Sequence, residues 1–592
     1  MNILFKSFFL ICLWLIPSLA QAQAFTETHY VTQSGAGSKT GQSLATAWAL
    51  SDFHNSNNWS TNKAVDGKIG PGDVVYFSGT FTDRVIVTNG GSSAESITLD
   101  GYEAGECDPL NSVCTGSALL QQGMEIGNRV AGPDYLTIQD FRMTRDDSSH
   151  PCFRILGKRD GTEDEQYINR LLIRRNHIFE TNGTMFYWRW GRYNIIEDNK
   201  FVHFGQNNTD ATQGVNFIQV ENSLVRRNEF GHREDLYPSG CKSANIIEVH
   251  AGDNLLFEYN NLYGAPNGTN IAPKEGWGGN SNIVIRFNKV HGSANQQLQS
   301  GGKGIYFRTR DHEMNENFYC YGNNVYGNDL NIALGDVMTN LYIWSNLSHS
   351  ALRTGILAWN SNIDGMHIYN NTIAKNNTLG HTDLTRGGIS LSASSSTYHI
   401  KNNIFWNNRP GGERDRRQIY TSQVINSLEH NIYYHDLGAP TIYYDGATRS
   451  IDVMKSVYGF ENQSPSGEVV DPRFNKPAGS DGVYGTAYDN YTLAANSPAI
   501  GAGIPLSGRF SVNLSGGDSW FEAQTGYSIL TFGLDDALCP IGTDWTTNPP
   551  TVVTAKQGAN GSGWDLGAYV YRNSNEKPLA PPKIIDIQDN LN

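Results

Sequence analysis

The strongest constraint on the fold is a short segment that recurs along the middle of the chain. Each copy is an alternating apolar and polar run, then a polar residue that is usually Asn, then another apolar residue two places on. LLIRRNHIFE, LLFEYNNLYG and MHIYNNTIAK are three of ten copies. In this register the polar residues are Asn176, Asn199, Asn228, Asn260, Asn288, Asn323, Ser345, Asn370, Asn402 and His430.

Self-similarity at intervals of about 22 to 35 residues is typical of a solenoid, in which each repeat stacks on the next. The alternation has period two, which indicates strands rather than helices. Asn suits the turn because it tolerates left-handed backbone and its amide can hydrogen-bond its copies above and below. We therefore predict an all-β solenoid of about ten or more coils with loops of variable length, in which Asn260, Asn323 and Asn402 belong to an asparagine ladder.

The N-terminus predicts export. Lys6 precedes an apolar run at residues 8–17 and two overlapping small-x-small sites, so residues 1–24 are interpreted as a signal peptide. The run is too short to span a bilayer comfortably, and we expect a secreted or periplasmic protein without membrane attachment after cleavage. Cys107 and Cys114 lie close together in a Gly-, Asp-, Asn- and Pro-containing loop where a disulfide is sterically easy, and their pairing stays open.

Composition bounds the partners. The 592 residues include 39% hydrophobic residues and 62 Gly, as expected for a globular protein with a large core. With 44 basic and 58 acidic residues the net charge is -14, which disfavours nucleic-acid binding because phosphate contacts need an extended basic surface. We expect a monomer with an N-terminal cap and first coils at 25–130, a regular helix with a groove at 131–440, final coils and long loops at 441–575, and a tail at 576–592.

Several segments carry a resemblance to a known group. YVTQSGAGSKTGQSLATAWAL (30–50) and PGDVVYFSGTF (71–81) are similar to the opening of secreted polysaccharide-degrading enzymes, and YTLAANSPAIGAG with WDLGAYVY resembles their closing coils. The resemblance implies a right-handed parallel β-helix in which the strand before the Asn-anchored strand faces a substrate groove. Strands on neighbouring coils lie about 5 Å apart, so residues remote in sequence form one patch.

Alternation on those strands predicts which side chains face the groove. The outward set is Trp188, Trp190, Glu221, Glu248, His250, Lys274, Tyr306, Arg308, Arg310, Asp336 and Trp359. NIIEVHAG, PKEG and GGKGIYF resemble the catalytic coils of the alginate lyase and chondroitinase B family. The resemblance places His250 at that family's catalytic lysine and Lys274 at its arginine, and this sequence differs from the family at both positions.

The chemistry implied is removal of the C5 proton of a uronic acid, followed by elimination of the 4-linked sugar. The weakly acidic proton needs a base within reach and a neutralised carboxylate. His250 or Lys274 can be the base, Arg308 can grip the carboxylate and Tyr306 can donate a proton. Substrate binding is predicted for Trp188, Arg189, Trp190, Arg310 and Trp359, and Ca²⁺ binding through carboxylate oxygens for Glu221 and Glu248.

Three alternatives to a polysaccharide lyase stay open. A glycoside hydrolase needs a carboxylate pair in the groove. The acids available for such a pair are Glu248, Glu275, Asp311, Glu313 and Asp336. A uronan C5-epimerase would share the base without shortening the polymer, and a non-catalytic carbohydrate-binding solenoid would give no product.

Overall fold

The computed structural model describes residues 26–62, 67–92, 95–102, 108–110, 116–127, 133–147, 149–158, 167–204, 213–232, 245–265, 268–274, 278–293, 301–308, 315–380, 387–392, 397–408, 416–462, 467–558 and 563–572. The predicted signal peptide and tail lie outside these residues, as do Cys107 and Cys114. Cys152, Cys320 and Cys539 are free and buried. No helix in the described part of the chain combines the length and the apolar composition that a membrane crossing requires.

The chain forms a right-handed parallel β-helix, as the sequence predicts. Each regular coil supplies strands to three walls, which we call the front, side and base sheets in the order in which the chain meets them. The front sheet contains Val85–Val87, Met124–Ile126, Phe153–Leu156, Phe186–Arg192, Asn245–His250, Thr269–Pro273, Lys303–Arg308, Gly387–Leu391, Arg417–Thr421 and Thr441–Tyr444. Three long strands bend from the front into the side sheet: Gln213–Arg226, Leu330–Trp344 and Thr354–Tyr369.

The other two walls complete each coil. The side sheet contains Thr28–Thr32, Trp48–Ala49, Val74–Phe77, Ile97–Asp100, Leu136–Gln139, Ile168–Asn169, Leu171–Arg174, Ile195–Glu197, Asp253–Glu258, Ser281–Arg286, Asn315–Tyr321, Tyr398–Lys401 and Ser427–Glu429. The base sheet contains Thr80–Phe81, Leu119–Leu120, Arg142–Arg145, His177–Thr181, Lys200–Phe204, Glu229–Gly231, Asn261–Tyr263, Lys289–His291, Asn324–Tyr326, Leu347–His349, Thr372–Ala374, Ile404–Trp406, Ile432–Tyr434 and Glu468–Val469.

Inward side chains stack in register to form a continuous core. On the side sheet, Leu255, Ile283, Phe318 and Leu341 pair from coil to coil, and each is at most 2% exposed. Burying one such side chain contributes roughly 1.5–3 kcal/mol. The repeat therefore stabilises the solenoid through contacts between successive coils.

The asparagine ladder follows the turn between the side and base sheets. The Asn260 amide donates to the Val225 carbonyl at 2.9 Å and to Asn288 Oδ1 at 3.0 Å. Its own Oδ1 accepts from the Asn228 backbone N–H at 3.0 Å. The ladder residues are Asn176, Asn199, Asn228, Asn260, Asn288, Asn323, Asn346, Asn371, Asn403 and Asn431. At its end, Asn431 donates to buried Glu461 at 2.6 Å.

The predicted register is wrong by one residue in the last four copies. Ser345, Asn370, Asn402 and His430 precede the ladder position and have φ between 50° and 58°. The earlier coils also place a residue of positive φ immediately before the ladder, for example Arg175 at 54°. Asn402 instead bonds the backbone of Ile504 through both side-chain atoms. Because Asn is favoured both in left-handed backbone and in the ladder, an Asn-Asn pair leaves the register ambiguous.

The last part of the chain returns along the side of the solenoid. We call residues 470–572 the C-terminal strap. Its contacts run from Ile504 at Asn402, through Tyr527 Oη at 3.1 Å from Arg286 Nη2, to Asp518 at 2.6 Å from Arg170. The sequence predicted final coils over 441–575, whereas the base sheet receives its last strand at Glu468–Val469 and the strap strands pair antiparallel.

The strap and the final coil also hold the remaining elements. The antiparallel strands are Ala447–Ser450, Phe474–Lys476, Asn490–Leu493, Arg509–Asn513, Ile529–Gly533, Asp536–Leu538 and Thr554–Lys556. The described α-helices are Leu50–Phe53, Ile451–Ser456 and Ser519–Thr525, with 3₁₀ turns at Leu44–Thr46 and Ser56–Asn58. Helices are thus short and peripheral, and the front sheet forms the long regular surface opposite no strap contact described above.

Candidate functional site

Outward side chains of the front sheet fall into two parallel rows. Strand register places Tyr187, Asn216, Glu248 and Ala272 in the first row, and the next coil adds Tyr306. The second row is Arg189, Ile218 and His250, then Lys274 and Arg308 by continuation of the same register, then Gly335 and Trp359. Neighbouring members lie on strands about 5 Å apart. His250, Lys274 and Arg308 therefore occupy equivalent positions on three successive coils, as predicted.

Glu248 joins the first two of these side chains. It is 2% exposed, Lys274 Nζ lies 2.6 Å from its Oε1, and His250 Nε2 lies 3.2 Å from its Oε2. Asn245 also donates to Oε1. Burial alone raises the pKa of Glu248, but the hydrogen bond from His250 and the charge of Lys274 outweigh it and lower the pKa to about 2. Glu248 is thus a fixed carboxylate beneath the row.

The fixed carboxylate determines how the His250 ring is used. A carboxylate only accepts hydrogen bonds, so Nε2 of His250 carries the proton that faces Glu248. In the neutral ring the basic lone pair then belongs to Nδ1. Glu248 therefore selects one tautomer of His250 and, through Lys274, holds an ammonium on the next coil.

An aromatic pair continues the site beyond Arg308. The Tyr306 and Trp359 rings stack with centroids 5.5 Å apart and planes 17° apart. Gly335 lies between them in register, and a Cβ at this position would come within 3.2 Å of the Tyr306 hydroxyl oxygen. Tyr306, Arg308 and Trp359 are all partly exposed, as the predicted orientation requires. The absence of a side chain at Gly335 leaves room for this stack.

Lys303 is a further basic residue here that the sequence analysis did not select. Its Nζ lies 4.9 Å from the centroid of the Tyr306 ring and donates to the Gly301 carbonyl at 3.0 Å. Burial, with the positive charges of Arg353 and Arg308, lowers the pKa of Lys303 to about 8. Its position at the start of GIYFR was the available signal, but its approach to the Tyr306 ring depends on side-chain packing.

The predicted outward orientation of Trp188 is wrong. Trp188 is 0% exposed and packs inside the helix against Phe186 and Phe217, at centroid distances of 5.7 and 6.5 Å. Its neighbour Arg189 faces outward instead. Trp190 has φ of 62°, which interrupts the alternation and brings its ring, 6% exposed, to 4.1 Å from the Arg189 guanidinium carbon.

The predicted calcium pair of Glu221 and Glu248 is not brought together. Glu221 pairs in register with Asp253, five positions beyond Asn216, which pairs with Glu248. The Glu221 oxygens accept from Tyr167 Oη at 2.7 Å and Arg192 Nε at 2.8 Å. Each glutamate therefore directs its oxygens at a cationic partner, and these donors do not fit a shared Ca²⁺ site. Across the described residues, no three or more His, Cys, Asp and Glu side chains are grouped so that they could hold a metal ion.

Some predicted residues lie outside the described part of the site. These are Arg310, Glu275, Asp311 and Glu313, together with the side chain of Asp336. Their contribution to the groove stays a prediction.

Comparisons with known proteins find similarity in solved structures. No protein-family model and no curated protein matches the chain. The pectate lyase Pel9A is 12% identical with a TM-score of 0.34, over 82% of this chain and 96% of that one. The Azotobacter vinelandii mannuronan C-5 epimerase AlgE6 A-module is 11% identical with a TM-score of 0.38, over 63% and 88%.

A third similar structure is the catalytic unit of a GH87 α-1,3-glucanase from Streptomyces thermodiastaticus strain HF3-3. It is 11% identical with a TM-score of 0.36, over 64% of this chain and 61% of that one. The three names cover a lyase, an epimerase and a glucanase, and similarity this low does not choose among their reactions. The reaction has to be inferred from the side chains of the front sheet.

Proposed function

We propose that the chain is a polysaccharide lyase that cleaves a uronic-acid-containing polymer by β-elimination. The observation that carries the proposal is the row of His250, Lys274 and Arg308 on three successive coils, with Glu248 buried beneath the first two. A uronate carboxylate is an anion, and a surface that gathers cationic groups on adjacent strands complements it.

Each residue of the row has a distinct role in this reaction. Lys274 and Arg308 neutralise the substrate carboxylate, which stabilises the charge that develops when C5 is deprotonated. Nδ1 of His250 takes the C5 proton, and the Tyr306 hydroxyl donates a proton to the departing O4. The C5–H and C4–O4 bonds break while a C4=C5 double bond forms. Glu248 is a positioning residue for His250 and Lys274.

The state of Glu248 disfavours the hydrolase alternative. Hydrolysis by paired carboxylates needs one carboxyl group that stays protonated until it protonates the leaving group. Glu248 has a pKa of about 2 and is buried against Lys274. Glu125, the other carboxylate in the first row, is likewise shared by Arg84 and Arg154, at 3.0 and 3.3 Å. Both described carboxylates thus serve as partners of cations.

Product analysis tests the proposal. The purified protein is incubated with uronate polymers and with neutral glycans, and ultraviolet absorbance and reducing ends are followed together. A lyase forms unsaturated ends and reducing ends in equal number, only on the uronate polymers. Reducing ends without new absorbance would establish hydrolysis, and an altered C5 configuration without shorter chains would establish epimerisation. Binding without any product would leave a carbohydrate-binding solenoid.

Calcium dependence and export are separate proposals. Because Glu221 and Glu248 do not fit a calcium site, we expect the lyase to keep its activity after EDTA treatment and dialysis. Loss of activity that added Ca²⁺ restores would contradict this. We further propose export with cleavage near residue 24, which N-terminal sequencing of the exported protein would test.

A further inference from the structure

A cavity opens on the front sheet on the N-terminal side of the His250 row. It has a volume of about 220 Å³, and the lining includes Ser149, His150, Arg154, Tyr187, Arg189 and Trp190. Arg154 pairs in register with Tyr187, and Arg189 lies in the second row two coils before His250. At about 5 Å per strand, Arg189 is therefore about 10 Å from the position of His250 along the groove.

The cavity walls belong to a cluster rich in guanidinium groups. Buried Glu125 is shared by Arg84 Nη1 at 3.0 Å and Arg154 Nη1 at 3.3 Å, so one carboxylate serves two cations. Arg145 pairs with Asp147 at 2.9 Å, and Arg189 adds a further guanidinium. Burial and the charge of Arg145 lower the pKa of Arg84, while Glu125 raises it. Positive groups are thus close enough to repel one another.

The other walls suit a sugar ring. The Trp190 ring lies 4.1 Å from the Arg189 guanidinium carbon, and Tyr187 stands beside Arg154 on the neighbouring coil. Aromatic faces pack against apolar faces of sugars, and planar guanidinium groups bind carboxylate or sulfate oxygens in pairs. His150 and Ser149 provide additional hydrogen-bonding groups at the rim.

We propose that this cavity is a subsite for an anionic substituent, a carboxylate or a sulfate ester, on a sugar bound about two coils from His250. The subsite holds the polymer in register with the reacting sugar and selects polymers that carry an anion at that distance. It rests on the proposed function for the identity of the polymer, but its binding chemistry is independent of which bond is cleaved.

Binding measurements test the subsite without requiring turnover. Isothermal titration uses the purified protein with three hexasaccharide probes: an oligouronate, a sulfated oligosaccharide and neutral cellohexaose. The variants are Arg189→Gln, which removes the charge, and Arg189→Lys, which keeps the charge without the planar fork. Arg509→Gln is the control, because that guanidinium on the strap is 67% exposed and distant from the front sheet. Melting curves confirm that each variant is folded.

We expect Arg189→Gln to weaken binding of at least one anionic probe by about tenfold or more, as loss of a charge-assisted hydrogen bond does. Arg189→Lys should fall between that variant and wild type, and Arg509→Gln should match wild type. The probe most affected distinguishes carboxylate from sulfate. Equal affinity of wild type and Arg189→Gln for both anionic probes, or an equal loss for cellohexaose, would overturn the subsite. An Arg189-dependent affinity in a protein that yields no unsaturated product would overturn the proposed lyase reaction and keep the subsite.

Discussion

The side and front sheets both carry rows of charged and aromatic side chains on successive coils, and the pairing of those charges differs. On the side sheet, Arg286 lies 2.6 Å from Glu258, the two side chains are 10% and 1% exposed, and Tyr527 of the strap contacts both. On the front sheet, His250 and Lys274 share the single carboxylate of Glu248.

This difference separates structural charges from charges suited to a ligand. A buried pair with a cover satisfies both partners and contributes to the packing of the strap. A partly exposed row in which basic groups outnumber the carboxylate beneath them is able to bind an anion. The comparison predicts that substitutions on the front sheet change activity, whereas those under the strap change stability.

The largest expected effect is on turnover in His250→Gln. Removing a general base lowers rates by roughly 10²–10⁴-fold, and we expect a loss near the upper end because Glu248 fixes the ring for this role. Initial rates of unsaturated-product formation measure it. His399→Gln on the side sheet is the matched control, since His399 stacks on His367 away from the row. Equal losses in the two variants would contradict the comparison.

The converse substitution is Glu258→Gln under the strap. It leaves Arg286 buried without its carboxylate, which should lower the free energy of unfolding by about 3 kcal/mol. Urea denaturation measures the change, and the activity per folded molecule should stay at the wild-type level. Glu429→Gln is the control, because its pair with Lys401 is 35% exposed on the glutamate side and should contribute less than about 1 kcal/mol. Similar stability losses in both would show that burial under the strap is unimportant.

Arg308→Ala should lower turnover on uronate polymers on the order of 100-fold with little change in melting temperature. The physical reason is loss of a guanidinium that neutralises the carboxylate as C5 is deprotonated. Arg308→Lys should recover part of the loss because it retains the charge without the planar fork. Wild-type turnover in Arg308→Ala, or activity confined to uncharged glycans, would remove Arg308 from the site.

The ladder gives a purely structural prediction. Asn323 is 0% exposed, accepts from Asn288 and donates to Asn346 Oδ1 at 3.0 Å. Asn323→Ala should therefore destabilise the fold by roughly 1–3 kcal/mol, as loss of a buried hydrogen-bond partner does. Asn340→Gly, an exposed side-sheet position with φ of 55°, should change stability far less. Unchanged melting with lost activity in Asn323→Ala would place the ladder in the site instead.

The smallest effect concerns pH. The pKa of Lys303 is lowered to about 8, so its ammonium is charged below that pH and lost above it. An anionic substrate should then bind several-fold more weakly as the pH rises through about 8, seen as an increase in KM with kcat less affected. Lys303→Gln should remove this step from the KM profile. A step that persists in the variant would have another origin.

The sequence predicts the coil, the groove strand and the row more securely than the direction of single side chains. His250, Lys274 and Arg308 were correctly aligned because register in a solenoid follows from the repeat alone. Trp188 was misplaced because counting alternation across Trp190 ignores its left-handed backbone. The strap could not be predicted, since its contacts with the side sheet come from residues more than 200 positions away that share no repeat, as for Tyr527 and Arg286.

The central claim is that the row of His250, Lys274 and Arg308 removes the C5 proton of a uronic acid and so drives elimination. The most direct measurement compares turnover of a uronate polymer with that of the same polymer deuterated at C5, while unsaturated ends are counted. The account predicts a primary deuterium isotope effect, one unsaturated end for each bond cleaved, and loss of the label from the product. Cleavage at equal rates on both polymers, with deuterium retained at C5 and no unsaturated ends, would contradict it.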